Sequence, residues 1–287
     1  MSAGPKDFQI TSHFSNNAIF IIDALSPDDS PTGEAIYHAL KSMVQVPGYH
    51  QPIVLRTSVA TPAQMLEAFE GIRRQCKFSG ISPLVHIESH GDDLHGIRVG
   101  TQMMSWQTLE GALRKINKAC RGNLAVLMGA CFGLYAISQI SIEKAAPFYF
   151  LAGPDQELGS DAIRQETTQF YDALLASGEL RPAVAKLKSM KAFYAEKLLA
   201  RALADFYRRA CLGKKGQARV ERYVSEFSQA RGGFVNREQL RAVRQRAKAH
   251  VQRGGQKETF TRLTNRFLPY KECSFKHEDL LAWVKNA

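Results

Sequence analysis

Short apolar runs alternate with stretches of helical periodicity along much of the chain, and this alternation constrains the fold more than any other feature. The apolar runs predict buried strands at residues 18–25, 51–58, 83–91, 124–131 and 148–154. The periodic stretches predict helices at residues 33–45, 61–76, 107–119, 132–141 and 161–176. A short hairpin is predicted at 96–100 and 102–106. Because strands and helices alternate at this spacing, we expect an α/β fold with a mostly parallel sheet flanked by helices.

Positive charge is concentrated in the C-terminal part of the chain. The whole chain has 38 Lys and Arg against 27 Asp and Glu, a net charge of +11. Residues 181–287 contain 25 of the basic and 9 of the acidic residues, a net charge of +16, whereas residues 1–180 carry −5. Helix-forming residues dominate 183–250, and glycine-containing breaks divide this part into about four helices. The sequence therefore predicts an α/β body over 1–180 and a basic α-helical extension over 181–287.

Composition excludes several classes of protein. Hydrophobic residues make up 45% and charged residues 23% of the chain, values that exclude a disordered or fibrous protein. The uncharged stretch 122–142 is long enough to cross a membrane, but its glycines and polar residues favour a buried strand followed by a helix. No secretory signal precedes the first strand, so a cytoplasmic protein is expected. The five cysteines form no metal-binding or disulfide pattern, so neither a metal nor another cofactor is predicted.

Two predicted strands end in residue types that catalyse hydrolysis. His90 and Gly91 close the run 83–91, and Cys131 closes the run 124–131. In a parallel sheet both ends lie at the carboxyl edge, where ligands bind in open α/β folds. An imidazole that accepts the thiol proton makes the cysteine a nucleophile, and it then protonates the leaving amine. The N–H groups of Gly91 and Cys131 are suited to hold the oxyanion, and a helix that begins after Cys131 would favour its thiolate.

The residues around both strand ends resemble a known family. HIESHG at 86–91 and VLMGACFG at 126–133 are similar to the two catalytic blocks of caspase-like cysteine peptidases. That superfamily includes caspases, metacaspases, separases and bacterial CHAT-type proteins. The resemblance covers about residues 18–188, and the segments most similar to bacterial CHAT-type members are 96–100, 148–154 and 167–178.

The resemblance implies a caspase-like fold and a thiol protease activity. Cys131 would be the nucleophile and His90 the general base and acid, with the amides of Gly91 and Cys131 as the oxyanion hole. The substrate would be a specific protein partner, such as an antiviral defence or cell-death effector of a bacterium encoded by a neighbouring gene. Because an unregulated protease is hazardous, an activating partner is expected. The loops at 92–96 and 153–160, which border the predicted cleft, are candidate gates.

One position departs from the caspase pattern. True caspases carry Gln two residues before the catalytic Cys, where it helps to recognise Asp in the substrate, whereas this chain has Gly129. Cleavage after Asp is therefore not expected. Acidic residues near the predicted cleft would favour a basic side chain in the substrate, as in metacaspases and separases, or they are solvated loop charges and helix caps. These residues are Asp92, Asp93, Asp155, Glu157 and Asp161.

Two further polar residues precede His90 in the same apolar run. By the two-residue period of a strand, His86 and Glu88 lie on the same face as His90. Either would orient the catalytic imidazole, and equally either would form an ion-paired support.

The basic extension has two interpretations. A folded helical module with a solvated basic face is the simpler one. The alternative is a docking surface for an acidic protein or a nucleic acid, and the chain would then be a non-catalytic scaffold. Aromatic residues lie at helical core spacing, so sequence-specific RNA recognition is not predicted. The presence of both His90 and Cys131 favours the peptidase over the scaffold and over an unrelated nucleic-acid-binding protein.

Overall fold

A computed structural model describes the chain at residues 8, 14–211, 213–233, 236–251 and 255–286. These residues form two units. The sheet unit comprises the described residues of Ser12–Ala195 and Leu268–Glu272. The helical unit comprises the described residues of Met1–Thr11, Glu196–Phe267 and Cys273–Ala287. The sheet unit thus continues to Ala195, beyond residue 180, where the sequence placed the end of the α/β body.

The described residues of the sheet unit form a main sheet of six strands and a small sheet of three. In chain order the strands are β1 (Ala18–Asp23), β2 (Ile53–Ser58), β3 (Pro83–Glu88), β4 (His90–Asp92), β5 (Gly96–Val99), β6 (Gln102–Met104), β7 (Ala125–Gly129), β8 (Phe150–Gly153) and β9 (Lys191–Tyr194). The main sheet has the order β2-β1-β3-β7-β8-β9, and its first five strands are parallel. Only β9 runs antiparallel to its neighbour. The predicted α/β fold with a mostly parallel sheet is confirmed.

Helices cover both faces of the main sheet. They are α1 (Thr32–Met43), α2 (Pro62–Ser79), α3 (Trp106–Ala119), α4 (Ser160–Ser177) and α5 (Leu180–Val184). One hydrophobic cluster joins α2 and α3 to one face through Phe69 and Leu113, and a second joins α1 and α4 to the other face through Leu40 and Phe170. Because both faces are covered, β1, β3, β7 and β8 are buried at every position, which explains their continuous apolar runs.

The chain leaves the main sheet at Ser89, earlier than the sequence predicted. β3 ends at Glu88, and the next strand, β4, pairs with β5 in the antiparallel small sheet. The Ser89 hydroxyl lies within hydrogen-bonding distance of two carbonyl oxygens. It is 2.7 Å from that of His90 and 2.9 Å from that of Arg98. These contacts hold the turn between the two sheets. The prediction of one continuous strand over 83–91 is therefore wrong at its end.

The segment after Cys131 also differs from its prediction. A helix was expected over 132–141, but these residues form only a five-residue 3-10 helix, Gly133–Ile137. Phe132 has a left-handed backbone with a φ of 56°, which does not continue into an α-helix. A helix this short adds little dipole, so the expected helical support for a Cys131 thiolate is absent from these described residues.

The helical unit confirms a C-terminal helical region. Its helices are α6 (Ala195–Phe206), α7 (Gly213–Ala230), α8 (Arg237–Ala249), α9 (Gly255–Phe267) and α10 (His277–Asn286), with a π-helical turn at Tyr207–Cys211. α8 buries none of its residues, and its basic residues Arg237, Arg241 and Lys248 are exposed. Over the described residues, no helix combines the length and the apolar character that a membrane span requires.

Candidate active site

A cleft of about 450 Å³ opens at the carboxyl edge of the main sheet. Three neighbouring strands end level there, because Asp23, Glu88 and Gly129 are paired in register across β1, β3 and β7. The segments that follow these strands and the beginning of α4 form its walls. The residues lining it are Leu25, Asp28, Asp29, Ser30, Thr32, Glu88, Ser89, His90, Gly129, Cys131, Leu158, Ser160 and Ile163.

Cys131 lies in a tight turn just beyond the end of β7. The Gly133 N–H donates to the Ala130 carbonyl at 3.0 Å and closes this turn, with Phe132 in the left-handed conformation inside it. Such a backbone is uncommon for a residue other than glycine, and it persists only where the surrounding structure holds it. The turn places the half-buried Cys131 thiol on the cleft, where it donates to the Leu158 carbonyl with an Sγ–O distance of 3.6 Å.

The loop at 153–160, predicted as a gate, packs against the same turn. The N–H groups of Phe132 and Leu134 donate to carbonyl oxygens of this loop, at 3.3 and 2.8 Å. A third carbonyl of the loop accepts from the Cys131 thiol. A displacement of this loop would therefore change the surroundings of the thiol directly. The other predicted gate, 92–96, is a turn at the tip of the small sheet and does not line the cleft.

Gly91 lies directly against the backbone of Cys131. A β-carbon placed on Gly91 would be 1.8 Å from the Cys131 carbonyl oxygen, so only glycine fits at this position. This close approach joins the segment that carries His90 to the segment that carries Cys131. The structure thus brings His90, Gly91 and Cys131 together, three residues that the sequence placed at two separate strand ends.

His90 is paired with a carboxylate that the sequence did not indicate. Its Nε2 atom is 2.9 Å from Asp29 Oδ1. The second oxygen of this carboxylate, Oδ2, accepts from the Ser26 N–H at 2.9 Å and is 3.5 Å from the Arg98 guanidinium. Half of the His90 side chain is exposed, whereas Asp29 is mostly covered.

The charges around Asp29 favour its ionised form. Burial tends to raise the pKa of Asp29, but the hydrogen bonds from His90 and Ser26 and the charge of Arg98 outweigh burial. The pKa therefore lies below its ordinary value of 3.8. One signal could have pointed to this residue. The acidic turn at 28–29 follows the first predicted strand, so it lies at the same edge of the sheet as His90 once these strands are neighbours.

His86 and Glu88 do not orient His90. The His86 ring lies 2.6 Å from Glu88 Oε1 through Nε2, and 3.0 Å from the Tyr171 hydroxyl through Nδ1. The other oxygen of Glu88 accepts from the Thr32 hydroxyl. His86 and Glu88 are buried, so they form a polar cluster beneath the cleft, of which Glu88 reaches the lining. Of the two interpretations, the ion-paired support is the one that the contacts favour.

The same cluster explains why position 129 holds glycine. A β-carbon on Gly129 would be 2.0 Å from Glu88 Oε1 and 3.2 Å from His86 Nε2. The space that a side chain would need at this position is therefore occupied by the buried carboxylate. A Gln two residues before Cys131, as in true caspases, would not fit beside this pair.

The five acidic residues that the sequence singled out do not line the cleft within the described part of the chain. Asp92 accepts from His95 and the N–H groups of its own turn, and these hydrogen bonds lower its pKa. Asp155 pairs with Lys191 and Asp161 with Arg164. The remaining two are Asp93 and Glu157. The acidic residues that do line the cleft are Asp28, Asp29 and Glu88.

The thiol and the imidazole share the cleft without a direct hydrogen bond. Among the contacts of the described residues, the Cys131 thiol donates to the Leu158 carbonyl, and the His90 ring forms an ion pair with Asp29 at 2.9 Å. Catalytic hydrogen bonds often form only when substrate is bound. Formation of a thiolate–imidazole pair would require the Cys131 side chain to leave the Leu158 carbonyl.

No model of a known protein family matches this chain, and no curated protein sequence matches it. The assignment of a function therefore depends on the arrangement of residues in the cleft. A thiol and an imidazole that line the same cleft are the components of nucleophilic catalysis by cysteine. In the described part of the chain, no group of three His, Cys, Asp or Glu side chains is arranged to hold a metal ion.

Proposed function

We propose that this chain is a cysteine endopeptidase in which Cys131 is the nucleophile and His90 is the general base and acid. The observation that carries the proposal is that both side chains line one cleft, with Gly91 packed against the Cys131 backbone. The resemblance of the residues around them to caspase-like peptidases supports it. On this proposal the sheet unit is a caspase-like peptidase domain, and the helical unit is its extension.

The reaction follows from the chemistry of the two side chains. His90 accepts the proton of the Cys131 thiol, and the sulfur forms a bond to the carbonyl carbon of the substrate. The carbon–nitrogen bond then breaks, and the amine leaves with the proton that His90 returns. Water activated by His90 hydrolyses the resulting thioester and restores the thiol. No cofactor is required.

Backbone N–H groups beside the thiol would hold the oxyanion of each tetrahedral intermediate. Of the hydrogen bonds made by the described residues, none uses the backbone N–H of Cys131. This donor is therefore available to a substrate oxygen. Gly91 contributes the second donor on this proposal, and its lack of a side chain lets it approach the Cys131 backbone.

The lining of the cleft favours a substrate with a basic side chain. Asp28 is exposed on this lining, whereas Asp29 is paired with His90 and Glu88 with His86. A cationic side chain in a partly desolvated cleft is attracted by such an exposed carboxylate. We extend the proposal to peptide bonds next to Arg or Lys in a specific partner protein. The resemblance to bacterial CHAT-type proteins supports a defence or cell-death effector as that partner, with activation by a further protein.

Cys131 and Cys273 are half-buried, whereas the other three cysteines are buried. Burial raises the pKa of Cys211, and burial together with the charge of Glu196 raises the pKa of Cys273 to about 12. A hydrogen bond with Cys120 and burial raise the pKa of Cys76 well above its ordinary value. The same hydrogen bond lowers the pKa of Cys120, but Cys120 is buried. Alkylation at neutral pH is therefore expected to select Cys131.

The proposal is tested by brief treatment of the folded protein with iodoacetamide, followed by peptide mass mapping. We expect modification of Cys131 in the wild type, and loss of that labelling in Cys131→Ala but not in Cys273→Ala. A library of fluorogenic peptides varied at the residue before the cleaved bond then measures activity. We expect cleavage after Arg or Lys by the wild type and Cys273→Ala, and a rate at least about 10³-fold lower for Cys131→Ala.

Two results would contradict the proposal. Labelling of Cys131 no faster than that of Cys273 would show that the cleft does not activate the thiol. Equal peptide cleavage by Cys131→Ala and the wild type would assign the activity to another group. The first result, without peptide cleavage, would favour the non-catalytic scaffold, and equal cleavage after neutral and basic residues would remove the proposed basic preference.

A further inference from the structure

We infer that Asp29 is a positioning residue that holds His90 in the tautomer with its proton on Nε2. The inference rests on the proposed function, because it makes Nδ1 the nitrogen that exchanges protons with Cys131 and the leaving amine. Asp29 lies in the loop between β1 and α1. Since β1 pairs with β3 in the main sheet, this loop is brought beside the beginning of β4, where His90 lies.

The position of the proton follows from the partner of each nitrogen. Nε2 of His90 is 2.9 Å from Asp29 Oδ1, within hydrogen-bonding distance. An ionised carboxylate only accepts hydrogen bonds, so the nitrogen that faces it must carry the proton. A neutral imidazole has one N–H, and Nδ1 is then left with a free electron pair. That electron pair is what a general base needs.

Asp29 is itself held so that the correct oxygen faces His90. Oδ2 accepts from the Ser26 N–H at 2.9 Å, within the same loop, and lies 3.5 Å from the Arg98 guanidinium. Arg98 is the cross-strand partner of His90 in the small sheet. The carboxylate is therefore fixed from two sides, which leaves Oδ1 directed at the imidazole.

The negative charge of Asp29 also favours proton transfer from the Cys131 thiol to His90. Its hydrogen bonds and the Arg98 guanidinium outweigh burial and lower its pKa, so it is ionised throughout the range in which histidines titrate. When His90 accepts the thiol proton it becomes an imidazolium. A carboxylate at hydrogen-bonding distance stabilises that cation, which favours formation of the thiolate.

The surroundings of Asp29 predict an unusual result for Asp29→Asn. An amide has one oxygen and one NH₂ group, and Ser26 and Arg98 both offer donors at the Oδ2 position. The amide oxygen is therefore expected to occupy that position, and the NH₂ group to face His90. Nε2 must then accept, so the proton moves to Nδ1 and the base is lost. Asp29→Ala leaves both nitrogens without this partner and is expected to give a mixture of tautomers.

A second histidine, His95, provides an internal reference for measuring the tautomer of His90. His95 contacts Asp92 Oδ1 through Nδ1 at 2.8 Å, the opposite nitrogen from the one that His90 uses. The same reasoning places the proton of neutral His95 on Nδ1. One protein thus contains two exposed histidines with opposite expected tautomers, each beside an aspartate.

The test uses the full chain labelled with ¹⁵N-histidine, and long-range ¹H–¹⁵N correlation spectra at about pH 8, where an ordinary histidine is neutral. His90→Asn and His95→Asn variants assign the signals. We expect the proton of His90 on Nε2 in the wild type, on Nδ1 in Asp29→Asn, and on both in Asp29→Ala. Asp29→Glu is expected to restore Nε2–H, and Asp92→Asn to change His95 without changing His90. Thermal unfolding curves establish that each variant is folded.

Activity on the fluorogenic peptides gives the second readout. We expect Asp29→Asn to lower kcat roughly 10²-fold with KM within about twofold, because a general base contributes about 10²–10⁴-fold and binding is not altered. Asp29→Glu should recover part of the loss. If Asp29 only supported the loop, its variants would differ in stability, but their kcat values would not fall in the order wild type, Asp29→Glu, Asp29→Asn.

The tautomer measurement decides the inference independently of peptidase activity. A wild-type His90 with its proton on Nδ1, or the same tautomer in the wild type and Asp29→Asn, would overturn it. So would an unchanged kcat in Asp29→Asn when the wild type is active. Absence of cleavage by the wild type, with the expected tautomer change in Asp29→Asn, would instead overturn the proposed function and support the assignment of Asp29 as the group that positions His90.

Discussion

Two histidine–carboxylate pairs lie close together in this chain, and their surroundings are opposite. In the first, His86 Nε2 is 2.6 Å from Glu88 Oε1, and the side chains are 0% and 3% exposed. In the second, His90 Nε2 is 2.9 Å from Asp29 Oδ1, and the side chains are 50% and 22% exposed. The contacts are similar. The contact alone therefore does not separate a pair that supports the fold from a pair suited to chemistry.

The two pairs differ in the further contacts that their polar atoms make. His86 also contacts Tyr171, and Glu88 also accepts from Thr32, so the buried pair has partners on every side. A buried pair requires this, because an unpartnered charge in the interior is costly. The His90 ring is half exposed on the cleft, and one of its nitrogens remains available for proton transfer.

The largest expected effect tests the buried pair. Glu88→Ala removes the acceptor for both His86 and the Thr32 hydroxyl, and it should lower the free energy of unfolding by about 3–5 kcal/mol. His90→Ala is the matched control, and it should change the same quantity by about 1 kcal/mol or less because His90 is half exposed. Urea unfolding followed by circular dichroism measures both. Equal losses in the two variants would remove the distinction between the pairs.

The two glycines that adjoin these pairs should show the next largest effect. Gly129→Ala places a β-carbon 2.0 Å from Glu88 Oε1, and Gly91→Ala places one 1.8 Å from the Cys131 carbonyl oxygen. Each should lower the free energy of unfolding by about 1–3 kcal/mol through overpacking. Gly111→Ala is the control, since a β-carbon there meets no atom within 4 Å, and it should raise stability by about 0.5–1 kcal/mol. Calorimetry measures the melting temperatures of the three variants. Equal shifts in all three would contradict this interpretation.

The smallest effect concerns the pH dependence of the exposed pair. Because the folded-state pKa of Asp29 lies below 3.8, its carboxylate stabilises the fold above that pH, and this stabilisation is lost as the pH falls through the lowered pKa. The contribution should be below about 1 kcal/mol because the pair is partly exposed. We expect the difference in unfolding free energy between the wild type and Asp29→Ala to shrink as the pH falls below about 4. A difference that grew on acidification below about pH 4 would have the wrong sign.

The strands and the candidate catalytic residues could be predicted because their signals are local. A central parallel strand is covered on both faces, so it is a continuous apolar run wherever it occurs, as β3 and β7 show. His90 and Cys131 directly follow such runs. Parallel strands also end at one edge of a sheet, so the sequence pattern was sufficient to predict that these two residues lie close together.

The partners of these residues could not be predicted in this way. His86, Glu88 and His90 share a two-residue period, but the turn at Ser89 moves His90 into the small sheet and ends that alternation. The five acidic residues chosen by their proximity in sequence lie outside the lining, whereas Asp28 and Asp29 lie on it. Proximity in sequence was a poor guide, because the cleft is formed by loops that follow different strands.

The sequence by itself determined the five parallel strands, the four long helices that pack on them, and the residue types that stand at the strand ends. These properties depend on backbone preferences and on which side chains avoid water, and both act over a few neighbouring residues. Only the tertiary structure decided that β1 lies beside β3, that Asp29 therefore reaches His90, and that Glu88 occupies the space beside Gly129. Strand order and register depend on helix packing against both faces of the sheet, a sum over contacts between distant segments that no local pattern contains.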